Sequence, residues 1–298
     1  MKASKKLLAT LAILLAVIFV FAGCKSQGNS TSDGRQGGSG SSSSNISGTL
    51  TIAGSTALQP LVEQAANQFM SKYPSVQITV QGGGSGSGLS MVADGSINIG
   101  DSDIFAEEKL DAATAKQLVD HKVAVVGFAT IVNPKVTVDN LTKQQLIDIF
   151  TGKIKNWKDV GGPDQKITVI NRPASSGTRA TFKKYALDGK EETQGLALTE
   201  DSSGAVRKAV ADTAGAISYL ALSYVDNSVK ALKIGGVAPT VENITSGKYP
   251  IWSYEHMYTK GEPTGAAKAF LDYMISDEVA PLIKQLGYIP ISDMKVSR

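Results

Sequence analysis

The sequence predicts an α/β protein of two lobes with a cleft between them. Three patterns predict it. Residues 49–104 alternate strand, helix, strand, helix, strand. A similar rhythm returns over residues 142–234. Two long apolar β runs, "VAVVGFATIVNP" and "YPIWSYEHMYTK", are each long enough to leave one lobe and enter the other.

Each element follows from local pattern. "TLTIAGS" (49–55) alternates as a strand does. In "TALQPLVEQAANQFMSKYP", Leu58, Leu61, Val62, Ala65, Ala66 and Phe69 share one helical face. Thr56 is placed to cap that helix, and Pro60 fits only its first turn. "SVQITVQ" is a second strand, "GGGSGSG" a turn, "LSMVADGS" a short helix and "INIGDSDI" a third strand. "AEEKLDAATAKQLVDHK" reads as a helix before the first long crossing. Beyond it come helix "TKQQLIDIFTG", strand "ITVIN", helices "GTRATFKKYAL" and "SGAVRKAVADTA", and strands "AISYL" and "VKALKI". After the second crossing, "GAAKAFLDYMISDEVAPLIKQLG" closes the chain as helix. This order predicts mostly parallel sheets with right-handed crossovers. The crossings divide the folded part into residues 49–126 with 253–298, and residues 127–252.

Two segments precede the folded part. Residues 1–23 join a basic start (Lys2, Lys5, Lys6) to the apolar run "LLATLAILLAVIFVFAG". That is the layout of a secretory signal; a membrane anchor helix is the alternative, since the run approaches spanning length. "FAGC" (21–24) resembles the lipobox of bacterial lipoproteins, with Phe21 where leucine is more usual. The resemblance implies cleavage before Cys24 and lipid on it, holding the protein to the outer face of the cytoplasmic membrane. Cys24 is the only cysteine, which excludes an intramolecular disulfide and a Cys-based metal or redox site. Residues 25–48 hold 9 Ser and 6 Gly in 24 positions. With Cys24 they form a flexible tether, 24–48, of typical reach roughly 27 Å.

Charge excludes one class of partner. The chain has 30 Lys and Arg against 27 Asp and Glu. Losing residues 1–23 removes three lysines and no acid, leaving 27 against 27. A neutral chain with no basic block does not read as a nucleic-acid binder.

Four loops share one design. They are "AGSTA" (53–57), "GGGSGSG" (82–88), "GDSD" (100–103) and "RPASSGT" (172–178). Each follows a strand or β run, and most open a helix. In an open parallel sheet, ligands bind beyond the carboxyl ends of the strands. Helix N-termini there offer unpaired N–H groups and partial positive charge. Hydroxyls add donors, and an arginine adds a planar fork for an oxyanion. Any one loop alone reads as a cap or a turn. Together they suit a tetrahedral oxyanion.

These four motifs, in this order, resemble the phosphate-binding proteins of bacterial ABC phosphate importers. The resemblance covers nearly all of residues 49–298. It implies a two-lobed, type II periplasmic-binding-protein fold that closes on its ligand. By that resemblance Thr56 and the Ala57 backbone face the phosphate from the first loop, Ser85 from the second and Asp103 from the third. Arg172, Ser176, Gly177 and Thr178 close from the other lobe. Many relatives carry an aromatic residue where Ala57 stands. The implied partners are inorganic phosphate and membrane permease subunits; the implied state is a monomer without cofactor or metal. Asp101 has no assigned role, and in "DSSGA" (201–205) Ser202 and Ser203 are either caps or site residues.

Asp103 places an anion beside an anion. Phosphate near neutral pH keeps a proton that a carboxylate can accept, whereas sulfate has none to offer. Rival readings are a binder of sulfate or molybdate, and a surface or adhesion protein on the same fold. An enzyme is disfavoured. No G-x-S-x-G elbow or phosphate-binding P-loop is present, and His121 and His256 lie outside the four loops.

Overall fold

The first strand, β1 (Gly48–Gly54), sits between two parallel neighbours, β2 (Val76–Gln81) and β3 (Ile99–Ser102). Helix α1 (Gln59–Lys72) joins β1 to β2, and α2 (Ser85–Asp94) joins β2 to β3. The computed structural model describes residues 46–193 and 198–298; the signal segment, Cys24 and residues 25–45 of the tether lie outside the described residues. No helix among the described residues is long and apolar enough to cross a membrane.

The remaining elements follow in chain order. A one-turn helix α3 (Ala112–Ala115) precedes the long strand β4 (Leu118–Val132). Then come β5 (Asn140–Leu141), α4 (Lys143–Phe150), β6 (Thr168–Asn171), α5 (Gly177–Tyr185), β7 (Leu198–Thr199), α6 (Ser203–Asp212) and β8 (Ala216–Ala221). Short strands β9 (Lys230–Ala231) and β10 (Lys233–Ile234) lead to α7 (Val241–Thr245), β11 (Trp252–Lys260), α8 (Gly265–Met274) and α9 (Ala280–Gln285).

Among the described residues one sheet runs in the order β2-β1-β3-β11-β4-β8-β6-β7, with β9 also on β4. Each end of that sheet is parallel, and its middle is antiparallel through β11 and β4. The first expected crossing is β4. Its residues Leu118–Gly127 pair with β11, and Phe128–Val132 pair with β8. The second is β11, whose Trp252 lies opposite Gly127. A Cβ at Gly127 would overlap the tip of the Ile244 side chain, which would have to shift.

Burial follows the patterning. The α1 stripe Leu61, Val62, Ala65, Ala66 and Phe69 is at most 2% exposed. Phe69 meets Phe270 of α8 edge-on at 5.3 Å. Across the molecule, Phe182 of α5 stacks on Tyr219 of β8 at 4.3 Å. Aromatic contacts of this kind contribute about 0.5–1.5 kcal/mol beyond their buried area.

Four expectations need correction. Thr56 is not the cap of α1; Leu58 holds that position, and Ser55 Oγ accepts from Ala57 N (3.0 Å) and Leu58 N (3.1 Å). The Gly-rich segment is not all turn, because α2 begins at Ser85 inside it. Most of the expected helix at 106–122 is absent: Ala106–Glu108 forms a short 3-10 turn, α3 spans four residues, and Leu118 already belongs to β4. Pairing with β11 decides those residues, a contact that no local window contains. The closing helix is two helices, α8 and α9, with Pro281 in the first turn of α9.

One buried acid in the second half links stability to pH. Glu192 is 3% exposed, with Arg179 Nε 3.7 Å from its Oε2. Burial pushes its pKa up to about 7, and the nearby Tyr219 hydroxyl and Arg179 only partly oppose this. The folded state therefore favours neutral Glu192. That stability is complete below the unfolded value near 4.5 and is lost as pH rises through about 7. Urea titrations of wild type and Glu192→Gln should diverge across that window, with the wild type losing up to about 3 kcal/mol that the variant keeps.

Candidate functional site

Four loops meet at the centre of the molecule. The β1–α1 loop brings Ser55 and Thr56. The start of α2 brings Ser85, and the end of β3 brings Asp103. The β6–α5 loop brings Arg172 through Thr178. Thr56, Ser85, Asp103, Arg172, Ser176 and Thr178 are all at most 4% exposed.

Asp103 is held from both sides. Ser55 Oγ donates to its Oδ1, and Thr178 Oγ1 donates to its Oδ2 at 2.9 Å. Its backbone N–H donates to Ser85 Oγ at 2.9 Å, and Thr181 Oγ1 donates to its carbonyl at 3.4 Å. Ser55 thus relays two helix-entry N–H groups onto a carboxylate, an arrangement in which each bond polarises the next.

Arg172 stands at the end of β6, 1% exposed. Its Nη2 donates to Thr56 Oγ1 and to Asp201 O, both at 3.2 Å. Its Nε and Nη1 are buried without a partner among the described residues. Arg172 also forms no ion pair among them. Burial pushes its pKa below the ordinary value, and the nearby Asp103 carboxylate pulls it back. The backbone is pinned as well, since Arg179 Nη1 donates to Arg172 O at 2.9 Å.

The "RPASSGT" stretch is both a cap and a pocket wall. Ser176 caps α5 by accepting from Arg179 N at 3.2 Å. Gly177 and Thr178 fall in the first turn, where N–H groups have no intrahelical acceptor. Gly177 must be bare: a Cβ there would overlap Ser85 Oγ and come within 3.0 Å of Asp103 Cβ. Gly86 N donates across the cleft to Ser175 O at 2.9 Å.

Ala57 is implied as a backbone contact to the ligand. Its N–H is engaged by Ser55 Oγ, so a contact to a ligand there would be shared. Ser202 caps α6, while Ser203 joins the site through its N–H to Thr56 Oγ1 (3.2 Å) and its Oγ at 3.1 Å from Thr56 Oγ1. The sequence pattern left Ser203 open between cap and site residue and did not point to Ser55, Thr181 or Glu255. Ser55 lay in "AGSTA" beside Thr56, whereas Glu255 lay in a crossing strand with no loop signature. His256 offers no base to the cleft; its Nδ1 lies 2.8 Å from Asp120 Oδ1 and its ring stacks on Tyr258. No cluster of three or more potential metal ligands occurs among the described residues.

Buried donors, a buried acceptor held by hydroxyls and loops gathered from both ends of one sheet are the features of a two-lobed anion-binding protein. Known proteins agree with that class. Residues 39–278 match the model of the PBP superfamily domain. The chain is 53% identical over 296 residues to the phosphate-binding protein PstS of Bacillus subtilis (strain 168), covering 99% of this chain and 97% of that one. A Clostridium perfringens protein described as a phosphate ABC transporter substrate-binding protein, solved with bound phosphate, superimposes with TM-score 0.77. It is 32% identical and covers 82% of this chain and 100% of its own. An ABC-type phosphate transport receptor from Vibrio cholerae gives TM-score 0.66 at 31% identity, covering 82% of this chain and 100% of that one. The chain belongs to the phosphate-binding proteins of bacterial ABC phosphate importers.

Gly177→Ala tests the closed geometry. The methyl group meets Ser85 and Asp103 only when the lobes are together. The variant should keep its fold, bind its anion at least about tenfold more weakly, and show a larger radius of gyration with ligand by small-angle scattering. Unchanged affinity and size would contradict this packing.

Proposed function

We infer that this chain binds inorganic phosphate outside the cell and delivers it to an ABC-type phosphate import permease. One observation carries the reading. Arg172 presents Nε and Nη1, buried and unpartnered, in a pocket whose acceptor is Asp103. A tetrahedral anion that still bears a proton satisfies both. Its oxygens accept from the guanidinium and from the N–H groups of Gly177 and Thr178. Its O–H donates to Asp103. Thr56, Ser85 and Ser176 line the same space, with the Ala57 backbone behind Ser55.

The binding step is a trap. Residues 49–126 with 253–298 form one lobe and residues 127–252 the other, hinged where β4 changes partner at Gly127 and Phe128. Phosphate favours the closed form because Arg172 and Asp103 come from opposite lobes. The protein is a monomer, a binder and not an enzyme, and needs no cofactor or metal. Lipid on Cys24 holds it at the outer face of the cytoplasmic membrane, and the Ser/Gly tether lets the folded part reach the permease.

Selectivity is the sharpest test. Asp103→Asn keeps the size of the side chain, removes its charge and supplies an N–H₂ donor. Calorimetry with phosphate, sulfate and molybdate at fixed pH and salt gives the ratios of dissociation constants. Wild type should prefer phosphate. In the variant the phosphate-over-sulfate ratio should fall at least about tenfold, which is about 1.4 kcal/mol of discrimination. A wild type that prefers sulfate or molybdate, or an unchanged ratio in the variant, would refute the reading.

Anchoring is tested separately. Cys24→Ser should release the protein into the medium or leave an uncleaved precursor. A variant still cut after residue 23 and still partitioning into detergent would exclude lipid at Cys24.

A further inference from the structure

Asp103 does not stand alone. Two more carboxyl groups are sealed beside it, with Asp101 1%, Asp103 2% and Glu255 0% exposed. Asp101 lies two residues earlier on β3, on the same face. Glu255 comes from β11, which runs antiparallel to β3 with Met257 opposite Asp101 and His256 opposite Ser102. Just past the last of these pairs come Glu255 on β11 and Asp103 after the end of β3.

The three acids differ in their partners. Asp103 receives the hydroxyls of Ser55 and Thr178. Neither oxygen of Asp101, and neither of Glu255, receives a donor among the described residues. None of the three forms an ion pair among them. Around Glu255, β3 presents Asp101 and Asp103, the segment after α9 presents the Tyr288 hydroxyl, and β4 presents uncharged Ala124. The Tyr288 hydroxyl donates to Ala57 O.

Three carboxylates cannot all be ionised in one dry space, least of all beside a bound anion. Burial pushes the Glu255 carboxyl well up, and Asp103 and Asp101 push it further. Burial likewise raises Asp101, with Asp103 adding to it. The buried open donors of Arg172 independently mark an anion in the same cleft.

We propose that Glu255 is a protonated positioning residue, backed by a protonated Asp101, whose O–H is donated to Asp103 to fix it as the acceptor for the ligand's proton. The proposal rests on the phosphate reading above. A carboxylate offers roughly four acceptor directions. Ser55, Thr178 and Glu255 occupy three, leaving one, which the O–H of phosphate takes. An ionised Glu255 would add a negative charge and withdraw that donor. Phosphate affinity should therefore fall as alkaline pH removes the proton.

The test uses the full chain with Glu255→Gln and Glu255→Leu. Glutamine keeps a neutral donor of the same shape, whereas leucine keeps only bulk. Calorimetry with inorganic phosphate and with sulfate, from neutral to alkaline pH, reads affinity and ratio. Glu255→Gln should stay within about twofold of wild type at neutral pH and lose less affinity on alkalinisation. Glu255→Leu should weaken phosphate about tenfold and lower the phosphate-over-sulfate ratio similarly, the size of one lost hydrogen bond to a charged group. Infrared difference spectra, wild type minus Glu255→Gln, at neutral pH should show the C=O stretch of a protonated acid beyond the bands that Asp101 and Glu192 give to both proteins. That measurement needs no ligand and does not depend on how well Glu255→Leu folds. Absence of such a band from the difference overturns the proposal. So does an unchanged ratio in Glu255→Leu, or damage by glutamine equal to that by leucine. Failure of wild type to bind phosphate while the band is present would instead overturn the functional reading.

Discussion

A guanidinium shut away from water without a carboxylate partner is the constraint around which this cleft is organised. Arg172 is 1% exposed, and its hydrogen bonds go to a hydroxyl and a carbonyl, both neutral. Leaving a charge in that condition costs several kcal/mol. The cost is incurred on folding and closure, and an anion on Nε and Nη1 offsets it. Folding has thus placed a strong donor pair in a site where little else can satisfy it. The rigid end of β6 and the Arg179 contact to Arg172 O hold the fork in place, so little side-chain entropy is left to lose on binding.

The contacts that join the lobes are modest by comparison. Thr178 to Asp103 and Gly86 to Ser175 are single hydrogen bonds at 2.9 Å, and Ser203 reaches Thr56 through its N–H at 3.2 Å and its hydroxyl at 3.1 Å. Each contributes about 0.5–1.5 kcal/mol, or somewhat more where a carboxylate takes part. Lys184 and Glu108 add an ion pair at 3.1 Å, partly open to water and worth about 0–1 kcal/mol. Such contacts bias a hinged molecule toward closure without locking it. On the proposed reading the ligand supplies the difference, since Asp103 and Arg172 would reach the same anion only in a closed form.

Much of this was legible in the sequence because the signals were local. Strand alternation, the apolar face of α1 and the Ser176 cap each lie within a few residues. Both long crossings were visible as apolar runs. The errors share one physical origin. Residues 118–122 read as helix, yet their pairing with the far end of β11 makes them strand. Ser85 read as turn because its glycines suggested one. Gly83 and Gly84 do turn the chain at positive φ, but Gly88 serves close packing: a Cβ on it would meet Ala53 O at 2.6 Å. Thr56 read as a cap because Ser55, one residue earlier, performs that work while also binding Asp103. Glu255 carried no signal at all. An acid in an apolar strand acquires meaning only from the neighbour that the sheet gives it, and β3 lies far away in sequence.

The balance of charge separates attraction from recognition. With 27 basic and 27 acidic residues after Gly23, the chain has no net field to concentrate anions. A basic surface would in any case draw sulfate and phosphate alike. Discrimination has to come from which hydrogen bonds can be completed inside the cleft. Donors from Arg172 and the start of α5 satisfy any tetrahedral oxyanion. On the proposed reading, Asp103 alone asks the ligand for a proton. An oxyanion without one leaves a buried carboxylate facing a negative oxygen, at a cost of about 1–3 kcal/mol or more. That is roughly one to two decades of affinity, obtained from a single acceptor. The acceptor has value only if its neighbours stay neutral, which is why the two silent acids behind it belong to the recognition site as much as the residues that touch the ligand.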